Sequence, residues 1–459
     1  MTARAARGGW VAYGVVAAAL AAVALLAWLR ALVLDGPVLY GEGAVAHAAL
    51  LGRTLAEYSD PAGPQFVAAN YPPLFFAIAG VGDPFITGRV VSITATLGIA
   101  VLLFLRARGA DRVVRAALAL GWLALAPVSI WGAAVKPDLL ALVLTVGAVW
   151  SLESRRAAAS AALLVVAALA KPTALVPALA LLLWVVLRDR ALLRAFIFGG
   201  AAASAIAVVA LDAFGYADVW RHVVTWNALA WTAEPAILLA FLGLAVYGAA
   251  LAAGVLTRSF GGPIGAYAAG AIVVVLLGGR DGATINYLLD LAAAACLAVA
   301  AAAPRLARSP AYPLAAIVTL AIGLLIFSPF GVVPGRPTTT GAWGDPARLG
   351  AVRDALASDA VVLAEDSGLL VATGHDVVID DLFLWSRLVA RGTVDPAPLL
   401  GEVRAGRFTA IVSEVELAKL AAAPAYERAR WDPALAQAIG ERYRFDRRLA
   451  GGLFVYRPR

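Results

Sequence analysis

Apolar stretches of about twenty residues recur along the first two-thirds of this chain, each the length needed to cross a bilayer core about 30 Å thick. Backbone groups in lipid must bond within their own segment or within a closed barrel, and the period-two alternation of a barrel strand is absent, so these stretches are helices. Composition agrees. Of 459 residues, 62% are hydrophobic and 15% charged, the mean hydropathy is +0.85, and a water-soluble domain carries about 25% charge. The net charge of +7 is spread over short loops between apolar stretches, not gathered on one face, which argues against nucleic acid as a partner. The single cysteine, Cys296, lies inside an apolar stretch, so no internal disulfide framework exists.

The expected spans number about eleven. The first runs from about residue 10 to 34, uncleaved because its apolar run is too long for a signal peptide. The others fall near 84–105, 113–132, 138–152, 157–170, 173–187, 193–213, 233–256, 262–278, 286–303 and 311–330. The halves around Lys171-Pro172 are short and read either as two crossings or as a tight hairpin. With the N-terminus cytoplasmic, alternate loops carry a two-to-one excess of arginine and lysine on the cytoplasmic side, including Arg106, Arg155, Arg188 and Arg305. Most acids, among them Glu42, Asp60 and Asp138, then fall on the opposite side. Residues 35–83 form a mixed segment there, with an amphipathic helix after Gly43 and a turn at Asn70-Tyr71-Pro72-Pro73. Trp10, Trp28, Trp122, Trp131, Trp150 and Trp220 lie near span ends, where indoles anchor at the interface.

After the last span the composition shifts. Residues 1–330 read as the membrane domain and 331–345, rich in Pro, Gly and Thr, as a linker. Residues 346–459 read as a small α/β domain outside the cytoplasm. Its strands are expected at 360–363, 377–379 and 409–412, and a closing hairpin joins 443–449 to 453–456. It has no G-x-G-x-x-G loop.

Titratable residues gather at three places along one rim of the expected bundle. Glu42, flanked by Gly41 and Gly43, can take a proton from an acceptor hydroxyl, with the glycines letting backbone approach a substrate closely; it can equally serve as a helix cap. In Lys136-Pro137-Asp138 the two charges could hold a phosphate and orient a sugar hydroxyl, or open a helix in the ordinary way. Lys171 and Arg280 suit a phosphate or pyrophosphate, or snorkel to lipid headgroups. Asn286 and Asp290 enter the span after Arg280, and Asp290, about one turn into an apolar helix, needs a cavity or a partner. His47, His222 and His375 show no metal-ligand spacing; a divalent cation on Asp or Glu remains open, and no other cofactor is indicated. Trp220, Trp226 and Trp231, beside Asn227, could stack on a sugar, though interfacial anchoring is the simpler role.

In order along the chain these features resemble the GT-C superfamily of membrane glycosyltransferases, especially the bacterial relatives of protein O-mannosyltransferase and aminoarabinose transferase. The features are a first span, a long loop with an acid near its start (Glu42), the Asn70-Tyr71-Pro72-Pro73-Leu74 turn, Gly88-Arg89, Asp138 at the fourth span, Asn286-Tyr287 on a late helix and a C-terminal domain. The resemblance implies transfer of a sugar from a polyprenyl-phosphate donor to a lipid, glycan or protein acceptor at the outer face. Glu42 would be the general base, Asp138 a second acid in the same cleft, and Tyr71, Asn286 and Asp290 substrate-binding residues. Charge alone adds Lys136, Lys171 and Arg280 as candidates for the donor phosphate. Many relatives carry an Asp-Glu pair where this chain has Gly41-Glu42, and the stretch from Pro73 to Asp83 is short. A single displacement would invert the anomeric centre. Two readings of another class stay open: a transporter or flippase of lipid-linked envelope precursors, and a non-catalytic membrane scaffold. A transporter would show paired repeats and deeper ionisable residues, whereas here only Asp212 and Asp290 lie deep.

Overall fold

A computed structural model describes residues 3–59, 63–216, 218–329 and 346–459. The expected linker at 331–345 and Asp60 lie outside them. Along the chain, α1 spans Ala3–Leu32, α2 Glu42–Leu51, α3 Pro73–Ala79 and α4 Pro84–Arg106. Then come α5 (Arg112–Ala124), α6 (Ala126–Trp131), α7 (Asp138–Glu153), α8 (Ala157–Ala170), α9 (Leu175–Arg188) and α10 (Leu193–Ala213). Four further apolar helices follow: α11 (Ala233–Leu256), α12 (Gly262–Leu277), α13 (Leu289–Leu306) and α14 (Ala311–Phe327). In the last part, α15 (Pro346–Ala355), β1 (Val362–Ala364), α16 (Ser367–Thr373), α17 (Leu382–Ala390) and α18 (Ala397–Arg404) precede β2 (Ala410–Ser413). They are followed by α19 (Ala425–Arg428), α20 (Pro433–Arg442), β3 (Tyr443–Arg448) and β4 (Phe454–Pro458).

Two compact units result. One gathers the described residues of Met1–Ala31, Arg89–Ala213 and Ala230–Trp343; the other gathers those of Leu32–Gly88, Phe214–Leu229 and Gly344–Arg459.

The first unit is a bundle of apolar helices. Among the described residues, five helices are long and apolar enough to cross a membrane: Arg4–Leu32, Pro84–Arg106, Arg190–Ala213, Ala233–Leu256 and Ile285–Leu306. Four shorter apolar ones, Ala157–Ala170, Pro172–Arg188, Gly262–Leu277 and Ala311–Phe327, accompany them. Phe198 at 75%, Ile206 at 72% and Leu256 at 82% exposure point away from the protein, as side chains facing lipid do. This is a membrane protein. The expected span at 113–132 is broken at Leu125, whose ψ of 128° leaves the helix. Pro127 is the cause: it has no N–H to donate and its ring collides with the carbonyl four residues earlier. Lys171, extended at φ −147° and ψ 127° ahead of Pro172, separates α8 from α9 for the related reason. Trp10, Trp28 and Trp122 are buried, unlike the interfacial indoles expected. Their N–H groups donate to the carbonyls of Leu306, Ser129 and Thr96, so they tie helices together inside the bundle.

The second unit is built on a four-stranded sheet of order β1-β2-β4-β3. β1 and β2 are parallel, Leu363 opposite Ile411, and the other pairs are antiparallel, Val412 opposite Val455 and Arg444 opposite Arg457. Alternation divides the side chains. Val362, Ala364, Ala410, Val412 and Val455 pack with Leu349, Val352 and Leu369 from α15 and α16. Leu363, Ile411 and Tyr456 pack with Leu388, Val403 and Leu435 from α17, α18 and α20. Helices thus cover both faces. The strand expected at 377–379 does not join this sheet. Ile379 instead makes an isolated bridge with Phe66, from the segment between α2 and α3. The helix expected after Gly43 is α2, but most of its residues are buried, so it is a core helix, not an amphipathic one. The Asn70-Tyr71-Pro72-Pro73 turn ends in α3, with Pro73 at the first helical position, where a missing N–H costs nothing.

Candidate active site

Three chain segments bring their polar residues to one point in the helical unit. α7 begins at Asp138, and Ala141, Leu142 and Thr145 continue the same face at helical spacing. The extended residue Lys171, between α8 and α9, places its ammonium 2.6 Å from Asp138 Oδ1. The short turn Ile285–Leu288 leading into α13 places the Asn286 amide 2.7 Å from the same oxygen. Thr284 Oγ1 donates to the Asn286 carbonyl oxygen, which fixes the amide with its N–H toward Asp138. One turn further, Asp290 accepts from Tyr267 Oη at 3.0 Å, and the Lys171 ammonium lies 5.2 Å from the Tyr287 ring centre.

Asp138, Lys171, Asn286 and Asp290 line a tight, open-mouthed cleft together with Thr145, Thr173, Ala174 and Leu289. Asp138 is 4% exposed, and its second oxygen, Oδ2, is buried with no hydrogen-bond partner among the described residues. Buried polar atoms are nearly always paired, since leaving one unmade costs about 1–3 kcal/mol. The Lys171 charge is neutralised by Asp138, so an anion in this cleft would meet the pair and not a bare ammonium.

Two other expected site residues of the helical unit do not line this cleft. Arg280 sits in the turn after α12, where its backbone pairs with Trp231, and does not line it; nor does Lys136, two residues before Asp138. Glu42 and Tyr71 belong to the second unit. Glu42 is buried and is the first residue of α2, behind Gly41 at φ 78°. It is therefore not the cap: its Oε2 accepts the Val38 amide at 2.8 Å. Gly43 does not open a path for substrate. A Cβ there would stand 2.0 Å from the Gly368 amide nitrogen, so this glycine admits the start of α16. The Tyr71 carbonyl accepts from Tyr58 Oη at 2.6 Å. Trp226 stacks on Phe66, ring centres 5.2 Å apart, inside the core, while Trp220 and Trp231 are exposed. Among the described residues, no group of three or more His, Cys, Asp or Glu side chains converges to hold a metal.

No family model and no curated protein matches the chain. Two solved structures are similar over nearly its whole length. Apo ArnT from Cupriavidus metallidurans superposes with a TM-score of 0.57, covering 98% of each chain at 14% identity. The chain shares the ArnT fold. The same organism's ArnT bound to undecaprenyl phosphate gives a TM-score of 0.55 over 95% of this chain and 97% of that one, at 13% identity. ArnT is an aminoarabinose transferase. At such identities the fold is what is shared, and the roles of individual side chains have to come from their own chemistry.

The sequence did not single out Thr145 and Thr173, which line the cleft, or Tyr267, which bonds to Asp290. Thr145 carries the one retrievable signal, since it repeats Asp138 at i+7 on α7. Tyr267 sits in an apolar helix with nothing to distinguish it.

Proposed function

We propose that this chain transfers a sugar from a polyprenyl-phosphate-linked donor to an acceptor at the outer face of the membrane. The observation that carries the reading is the unpartnered Oδ2 of Asp138 in a cleft already lined by Lys171, Asn286, Asp290 and two threonines. Such an oxygen is suited to a sugar hydroxyl, which would donate to it. The threonines, Asn286 and Asp290 offer donors and acceptors to the remaining hydroxyls, and the Lys171 ammonium, though its charge is balanced by Asp138, has further N–H groups to donate to a phosphate oxygen. The likeness to ArnT supports a lipid-linked donor, since that protein is known bound to undecaprenyl phosphate.

The chemistry asked of the protein is modest. Polyprenyl phosphate leaves as an anion, so the enzyme orients two substrates and removes a proton from the acceptor hydroxyl. Glu42 is assigned that proton, and one displacement inverts the anomeric carbon. Glu42→Gln keeps the shape and the Val38 contact but removes the base. It should lower transfer from polyprenyl-phosphate sugars by about 10²–10⁴-fold, with little change in donor affinity. Undiminished turnover removes Glu42 from this role, and a product retaining the donor's anomeric configuration rejects the single displacement.

A further inference from the structure

Asp380, in the connection between α16 and α17, is buried and touches three stretches of chain that are distant in sequence. Its Oδ1 accepts the Ala68 amide at 2.8 Å, and its Oδ2 lies 3.4 Å from Nδ1 of His47 on α2. Its backbone carbonyl accepts from Ser367 Oγ at 2.6 Å, at the first residue of α16, and its amide donates to the Phe66 carbonyl at 3.3 Å. The Phe66 amide in turn donates to the Val378 carbonyl at 2.8 Å.

The three stretches are those that carry the family-like motifs and their support. α2 begins with Glu42. Phe66–Ala68 leads into Asn70-Tyr71-Pro72-Pro73. Ser367 adjoins Gly368, the residue against which Gly43 is pressed. An apolar side chain could fill the space of Asp380 but could not accept from Ala68 or face the imidazole. A buried polar hub of this kind selects one arrangement of its neighbours where apolar packing tolerates several.

We propose that Asp380, acting on α2 through His47, is a positioning residue that locks the Glu42 helix and the Tyr71 segment into one register. The inference rests on the proposed role of Glu42. Asp380→Asn keeps an acceptor for Ala68 and removes the charge facing His47. In the full-length protein it should lower kcat about 100-fold with donor KM nearly unchanged, and His47→Gln should act in the same direction. Amide hydrogen exchange should quicken over 42–51 and 66–71 and stay unchanged over α20. Leu435→Ala, which thins the packing of α20 in the same unit and touches neither α2 nor α16, serves as comparison: its melting temperature should fall while kcat holds. Unchanged kcat and unchanged exchange in Asp380→Asn would overturn the proposal. Quickened exchange spread evenly over the unit would also overturn it, because that marks Asp380 as general scaffolding. If the unmodified protein shows no transfer, the reading of Glu42 fails, and the exchange pattern alone then decides whether the clamp exists.

Discussion

Two donors converge on one oxygen of Asp138, Lys171 at 2.6 Å and Asn286 at 2.7 Å, and neither reaches the other oxygen. Asp138→Ala strands a buried ammonium, a change that costs on the order of 3–5 kcal/mol and confuses stability with catalysis. Asp138→Asn is milder, because its amide oxygen still accepts from Lys171 and Asn286 although the ammonium loses its counter-charge. It should fold, and the donor KM should rise at least about tenfold, since one bond to the donor corresponds to about 1.4 kcal/mol or more when an ion is involved. Another group of charges lies at the ends of β1 and β2. Arg430 pairs with Glu365 at 2.9 Å and with Glu414, and Arg348 pairs with Glu414. Burial pushes Asp366 from 3.8 up to about 7, against the pull of Arg348. Burial and the Glu414 charge push Glu365 up as well. Burial alone would raise Glu414, but Arg348 and Arg430 hold it below its ordinary value. A raised acid favours folding only while protonated, so the contribution of Asp366 is full below about 3.8 and is lost as pH rises through about 7. Asp366→Asn should therefore flatten the decline in melting temperature across that window, read from thermal unfolding in a pH series.

At the scale of elements, the close meeting of α2 and α16 is the least forgiving. The Cβ that Gly43 lacks would lie 2.0 Å from a backbone nitrogen, and backbone cannot rotate aside as a side chain does. Gly43→Ala should cost about 1–3 kcal/mol by forcing the helices apart, with a parallel loss of transfer. Gly401→Ala on α18, where a Cβ meets nothing within 4 Å, should be neutral or stabilise by about 0.4–1 kcal/mol. Melting temperatures of the pair give the comparison. Element identity was largely legible: α8 at Ala157–Ala170 and α11 at Ala233–Leu256 coincide with the apolar runs because helix length in lipid follows directly from composition. The break at Leu125 was legible in principle through Pro127. The fate of 377–379 was not, since its pairing partner, Phe66, lies hundreds of residues upstream and local pattern cannot choose between a sheet edge and a distant loop.

For the molecule as a whole, the sheet-bearing unit draws its core from three parts of the chain. Phe66, Ala68 and Trp226 pack among Leu363, Trp385, Ile411 and Tyr456, although none of the three belongs to residues 346–459. Expressed alone, 346–459 should keep helix and strand signals in far-UV circular dichroism while losing the near-UV signal of its aromatic core and binding ANS. A fully cooperative, well-packed fragment would contradict this. The sequence by itself determined that this is a helical membrane protein with a sheet-bearing part after the last apolar helix, because crossing length and residue period are local properties of a chain. It also singled out Asp138, Lys171, Asn286 and Asp290, since charge within apolar surroundings is conspicuous. Only the tertiary structure decided that Asp138 takes Lys171 from 33 residues away and Asn286 from 148, and that Arg280 stays out of their cleft. Pairings at such separations follow from how helices pack, which no local pattern of residues encodes.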